Sequence, residues 1–219
     1  MEIFHVLNRG VDKRSIVLTD ADRFRFMQGL YLYNDKNLLN KNTKRLTSKP
    51  NLLVERKLLV HIHAFCLMDN HYHLLLSPVA DDLTNLSAFM RKLNMGYAKY
   101  FNEKYDRSGA LWQGKHKKIH VSQESHFLFI PYYIHLNPLD FEFPEWREGK
   151  VVDVDKAIVY LSKYKWSSYL DYSGTKNYPS ILYQKLFTDL LTNKQQQLEA
   201  IKSIITSPEK VFGAEMLEK

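Results

Sequence analysis

Leu67-Met68-Asp69-Asn70-His71-Tyr72-His73-Leu74-Leu75-Leu76-Ser77-Pro78 is the stretch on which the reading of this chain turns. An unbroken leucine run preceded by two histidines one residue apart reads as the start of a buried strand. Side chains at i and i+2 of a strand share a face. His71 and His73 therefore present two imidazoles side by side, and Tyr72 turns the other way. That is metal-ligand spacing, but the spacing alone is weak. A second pair, His61-Ile62-His63, lies only ten residues earlier, and a structural or solvated histidine pair is the commoner outcome.

Working outward, Leu58 to Met68 reads as a strand joined to the strand from Tyr72 to Ser77 by the short Asp69-Asn70 turn, which makes a hairpin. Upstream, Glu2 to Asn8 alternates as a strand and ends at Asn8-Arg9-Gly10. Thr19 to Asp22 offers N-cap candidates for a helix reaching about Tyr33, with Phe24, Met27, Leu30 and Tyr31 as its core stripe. Residues 34–57 are polar, Asn- and Lys-rich and without a period. They read as a basic insertion. Downstream, Leu86, Phe89, Met90, Leu93, Tyr97 and Phe101 repeat at three and four residues, which predicts a helix from about Leu83 to Tyr105. A fourth strand is expected over Leu111 to Val121. The order β-α-β-β-α-β predicts an α+β, ferredoxin-like antiparallel sheet with helices on one face. That architecture supports many functions and fixes none.

The 219 residues can bury a full core. No run approaches the roughly 18 apolar residues of a membrane helix, and no signal peptide opens the chain. The lone Cys66 excludes an intramolecular disulfide framework and fits a reducing cytoplasm. Net charge is +7, which favours an anionic partner. Most of the excess lies between Arg91 and Lys118, where Arg91, Lys92, Lys99, Lys104, Arg107, Lys115, Lys117 and Lys118 face only Glu103 and Asp106. Tyr97, Tyr100, Phe101, Tyr105 and Trp112 are interleaved with them. Cations with aromatics suit a nucleic-acid strand, phosphates to the charges and bases to the rings. A solvated helix face over a core stripe is the alternative.

The run from His63 to Pro78 resembles the signature of single-tyrosine HUH transposases, in particular the REP-associated tyrosine transposase branch. The resemblance maps the family's metal pair onto His71 and His73, and Asp69 stands where relatives commonly carry proline. A second resemblance lies in Tyr133-Ile134-His135-Leu136-Asn137-Pro138, on a helix that Ser122 can cap and Pro138 stops. It implies Tyr133 as the nucleophile and Asn137 as a third metal ligand, and residues at i and i+4 do share a helix face. The adjacent Tyr132 points about 100° away around the helix, and Pro131 inside the helix should kink it. Asn8-Arg9-Gly10, Trp112-Gln113-Gly114-Lys115 (with lysine replacing the family's arginine) and Trp166-Ser167-Ser168-Tyr169 also resemble family stretches. Leu139-Asp140-Phe141 departs from the family pattern.

What the resemblance implies is a metal-dependent DNA strand transferase. It would cleave single-stranded or hairpin-flanked DNA through a 5′-phosphotyrosine and rejoin it, with Mg²⁺ or Mn²⁺ as cofactor. Arg9, Arg91, Lys92, Lys99, Trp112, Lys115, Lys117 and Lys118 are the expected DNA contacts, and the chain is expected to be cytoplasmic, as a monomer or homodimer. The expected domains are a catalytic unit over residues 1–150 and a helical C-terminal extension over 151–219, the latter with helices at Tyr183–Leu191, Lys194–Ile205 and Pro208–Leu217. Two rivals remain: a transposase-derived protein that binds a DNA hairpin without cutting, and an RNA-binding protein reading single strands on its sheet.

Overall fold

The structure is a computed structural model and describes residues 1–37, 56–188 and 194–207. Four strands, β1 (Phe4–Arg9), β2 (Val60–Leu67), β3 (His71–Pro78) and β4 (Lys117–His120), form an antiparallel sheet in the order β2-β3-β1-β4. Helix α1 (Asp20–Leu32) connects β1 to β2, and α2 (Leu83–Lys104) connects β3 to β4. This is the expected ferredoxin-like arrangement. The basic insertion, apart from residues 34–37 and 56–57, lies outside the described residues. Its base is tied down: the buried Asn34 side chain accepts from Leu59 and Val60 N–H and donates to the Val60 carbonyl.

Strand alternation divides the core in two. On one face Phe4, Val6, Tyr72, Leu74 and Leu76 pack against α1 and α2. All six positions of the α2 stripe are buried. In α1 the face turns by one position: Phe26, Met27 and Leu30 are buried, whereas Phe24 and Tyr31 are exposed, contrary to the expected stripe. Phe24 instead lays its ring edge against Trp166 at 4.9 Å. The buried Asp22 carboxylate fastens the two helices, accepting from Lys104, Tyr100 and Tyr105. Burial alone would raise its pKa, but these donors outweigh it and hold the carboxyl well below the usual carboxylate range. Lys104 is thereby committed inside the protein.

The opposite face is covered as well. Ala64, Cys66, Met68 and Leu75 pack under α3 (Glu124–Leu136), α4 (Val154–Lys163), α5 (Tyr169–Tyr172) and α6 (Lys194–Thr206). The C-terminal helices thus share one core with α3. Pro208–Leu217 and most of the second half of Tyr183–Leu191 lie outside the described residues, and Gln184–Phe187 forms a single 3₁₀ turn. Gln123, not Ser122, occupies the N-cap of α3 and makes no side-chain cap bond. Trp166-Ser167-Ser168 runs along β2: Leu67 N–H donates to the Trp166 carbonyl and Ser168 N–H to that of Phe65. The Ser168 hydroxyl accepts from Phe65 N–H at 2.9 Å and lies 2.8 Å from His135 Nε2. This motif closes the outer edge of the sheet. Among the described residues no helix is long and apolar enough to cross a membrane.

Candidate functional site

Antiparallel pairing places directly opposed residues on the same face. Leu7 faces His73 and Arg9 faces His71 across β1 and β3, and Leu7 also faces Lys117 across β1 and β4. The histidine pair therefore sits mid-sheet, flanked by Arg9 and Lys117. The turn before it is held from outside: Asn70 accepts from Gly10 N–H through its carbonyl, and the Asp69 carboxylate takes a 2.6 Å bond from Arg23 of α1.

The His71 and His73 rings lie edge to face at 4.8 Å between centroids. His73 Nδ1 is 2.9 Å from Nε2 of the buried His5, their rings nearly parallel at 14°. His71 Nδ1 lies 2.6 Å from Asn70 Oδ1. Burial first, and then the neighbouring His71, His5, Arg147 and Arg9, push the His73 pKa well below the ordinary imidazole value. A neutral imidazole is what a metal requires.

α3 lies over this face, and its sequence position decides which tyrosine points down. The Tyr133 ring is 5.8 Å from that of His73 and 6.0 Å from that of His5, both edge-on. It is completely buried. Tyr132 packs into the hydrophobic core on this side of the sheet. Asn137 caps the end of α3, donating through Nδ2 to the Tyr133 carbonyl at 2.7 Å. α3 runs on through Pro131.

A group that the sequence did not mark completes the cluster. The 3₁₀ turn Pro144–Glu148 lays Arg147 against α3. Arg147 Nη1 donates to the Tyr133 hydroxyl at 3.3 Å and Nη2 to Asn137 Oδ1 at 3.1 Å. Nε and Nη2 also grip the Asp140 carboxylate at 2.8 and 2.7 Å. Trp146 donates to the same carboxylate at 2.7 Å and sets its ring 6.0 Å from that of Tyr133. Burial opposes the guanidinium charge, but Asp140 and Tyr133 more than compensate, so its pKa rises further.

A cleft of about 260 Å³ opens between β1 and the segment before β4, lined in part by Leu7 and Arg9, which face His73 and His71. It exists because β4 is shorter than the sequence predicts. Gln113 N–H bonds to the Arg9 carbonyl, but the chain then leaves the ladder and regains it only at Lys117. Leu7, Asn8, Arg9, Gln113, Gly114, Lys115 and Lys117 line the gap.

The other expected DNA contacts lie elsewhere. Arg91 belongs to α2 on the opposite face and, with Lys115, lines a second cleft. Lys92 is tied to the Asp35 carbonyl at 2.9 Å, and Lys99 lies 3.6 Å from Glu103. Lys118 extends over the Phe4 ring. Trp112 leans on Tyr72 and Tyr97 and donates to the Asn94 carbonyl. The structure thus brings His71, His73, Tyr133 and Asn137 together and gathers Arg9, Lys115 and Lys117 beside them. It does not bring Arg91, Lys92, Lys99 or Lys118 to that face.

Fold and site together define a class: a ferredoxin-like protein with a His-x-His strand pair set beneath a helical tyrosine. Residues 33–137, just under half of the chain, match the family described as "Transposase IS200 like". All four residues of the cluster first marked in the sequence fall in the matched stretch, whereas His5, Asp140 and Arg147 fall outside it. A similar solved structure is described as that of "the REP associates tyrosine transposase bound to a REP hairpin". It is 14% identical, with 83% of this chain and 85% of that one covered and a TM-score of 0.49. No curated protein matches the chain.

Proposed function

We propose that this protein is a metal-dependent DNA strand transferase that cleaves single-stranded or hairpin-flanked DNA and rejoins it through a phosphotyrosine at Tyr133. The observation that carries the reading is the placement of Tyr133 over the histidine face of the sheet, with its ring 5.8 Å from that of His73. A core tyrosine has no need of two imidazoles, an amide and a guanidinium around it.

Among the described residues no group of three or more histidines, cysteines or carboxylates is arranged to hold a metal ion. The expected donor set is two imidazoles and one amide, and it fits in part. His73 Nε2 is buried without a hydrogen-bond partner, which suits a nitrogen kept for a ligand. Asn137 Oδ1 already accepts from Arg147, and its second lone pair is what remains for a cation. His71, His73 and Asn137 would hold a divalent ion, which supplies Lewis-acid polarisation of a phosphate oxygen.

The chain's own residues account for the remaining chemistry. The Tyr133 oxygen attacks phosphorus in line. The phosphorus–O3′ bond breaks, the 3′ oxygen takes up a proton, and the 5′ phosphate remains on the tyrosine. Reversal by another 3′-hydroxyl restores a phosphodiester, so bond energy is conserved and no external energy source is required. His5 holds the His73 ring, as an outer partner that fixes tautomer and orientation. Arg9, Lys115 and Lys117 line the cleft through which a strand would reach the histidines and offer cations to its phosphates.

The test is incubation with hairpin-bearing single-stranded DNAs and Mn²⁺ or Mg²⁺, followed by a denaturing gel and peptide mapping. A covalent adduct on Tyr133, lost with EDTA or in Tyr133→Phe, is the expected result. An adduct on Tyr132 would overturn the assignment. The complete burial of Tyr133, His73 and Asn137 favours one other reading, a protein that binds hairpins without cutting, and binding with no adduct would establish it. The RNA-binding alternative needs an open sheet face. Both faces along β2 and β3 are covered.

A further inference from the structure

We propose that Arg147 is a catalytic residue of the strand-transfer reaction, held in place by Asp140. This rests on the reading of Tyr133 as the nucleophile and extends it to a segment beyond the matched family stretch. The Tyr133 hydroxyl oxygen is the atom that gains the phosphorus bond on cleavage and loses it on rejoining. Arg147 Nη1 lies 3.3 Å from that oxygen, so a phosphate placed on it falls within reach of the guanidinium.

Three features distinguish this contact from incidental packing. Arg147 is fixed side-on, through Nε and Nη2, to both oxygens of Asp140, an arrangement that locks the plane of the guanidinium. Trp146 donates to the same carboxylate and lies beneath the guanidinium, 4.9 Å from it. Arg147 also reaches Asn137 Oδ1, so a single cation orients the nucleophile and the amide together. It remains protonated throughout and donates hydrogen bonds only. In the step, the Tyr133 oxygen–phosphorus bond forms while the phosphorus–O3′ bond breaks. The phenol gives up its proton as the departing O3′ takes one up, and the charge that builds on the phosphate oxygens meets a positive group already in position. Preorganised charge at that point is the usual source of large rate effects.

The proposal is tested on the full-length chain with one hairpin-bearing oligonucleotide. Single-turnover adduct formation, rejoining, DNA affinity in EDTA and the unfolding midpoint are measured side by side. Arg147→Gln is expected to slow adduct formation and rejoining about a hundredfold, with DNA affinity within about threefold of the starting protein. Arg147→Lys should recover part of the rate, because it keeps the charge but loses the planar fork. Since Arg147→Gln leaves Asp140 without its partner, Arg147→Gln with Asp140→Asn serves as the folded control. It removes both charges and should show the same loss. Adduct formation within about threefold of the starting protein in the folded double variant overturns the proposal. So does a rate that falls only in step with DNA affinity or with the folded fraction. If the unsubstituted protein forms no adduct on any hairpin, the transferase reading fails and this inference fails with it. Adduct formation that is equally fast without Arg147 removes the inference alone.

Discussion

The chain carries two His-x-His pairs ten residues apart, and their surroundings differ. His63, beside an irregularity in β2, has both ring nitrogens committed: Nε2 lies 2.8 Å from Ser77 Oγ and Nδ1 3.2 Å from the Tyr183 carbonyl. His61 stacks on Tyr183 at 4.0 Å. His73 gives one nitrogen to His5, and its other is buried without a hydrogen-bond partner beside Tyr133. The spacing is the same in both pairs. What separates a structural pair from a candidate ligand pair is what faces it across the sheet.

The largest expected effect tests that distinction directly. His73→Ala should reduce metal-dependent adduct formation by at least about a hundredfold. His63→Ala should leave it nearly unchanged at temperatures where the variant is folded. Gel quantification of adduct in the two variants decides the matter. Equal losses would show that both pairs act only through stability.

Acid should expose the structural pair. Burial pushes the His63 pKa down to about 4, so the folded state resists a proton that the unfolded chain accepts near 6.5. Its contribution to stability is complete above 6.5 and is lost as pH falls from there toward 4. Following the linkage, that shift corresponds to about 3 kcal/mol. Denaturant unfolding at pH 7 and pH 4.5 should show a drop, and His63→Gln should reduce it, with the buried His73 and His135 carrying the rest. An unchanged pH dependence in His63→Gln would place the acid sensitivity in other groups.

A metal should do the reverse, stabilising through the second pair alone. Mn²⁺ at a hundredfold excess over its dissociation constant adds about 2.7 kcal/mol, readable as a rise in unfolding midpoint. His71→Ala should abolish the rise and His61→Ala should retain it. A rise that survives His71→Ala would assign the metal to another site.

Much of this architecture is legible in the sequence because it depends on local periods. The α2 stripe and the hairpin turn can be read off spacing, and both are found. The α1 stripe fails by one position because Phe24 finds a partner in Trp166, and no local pattern foretells a contact made from more than a hundred residues away. The motif residues His71, His73, Tyr133 and Asn137 come together as their strand and helix faces require. His5 could have been added to them: once β1 is paired with β3, it lies two residues from Leu7 on the histidine face. Arg147 left no such trace. It lies in a charged connector with no periodicity, and only the packing of the Pro144–Glu148 turn on α3 brings it to Tyr133. The charge cluster was legible as composition but not as a surface, because Lys92 and Lys104 are engaged within the protein.

The smallest effect sharpens the division of the sheet into two faces. Lys117 and Lys118 are adjacent in β4 and therefore point to opposite sides. Lys117 lines the cleft beside the histidines, whereas Lys118 covers Phe4. If a single strand enters along the histidine face, Lys117→Ala should reduce the salt slope of DNA binding by about 0.7, one phosphate's share for a single strand. Lys118→Ala should leave the slope unchanged. Fluorescence anisotropy across a salt series, with the same hairpin oligonucleotide in EDTA, measures both. Equal changes would mean that the DNA wraps the edge of the sheet, and a change in Lys118→Ala alone would move the strand to the α2 face. Because the two lysines have equal charge and both are exposed, only the strand's path can make them differ.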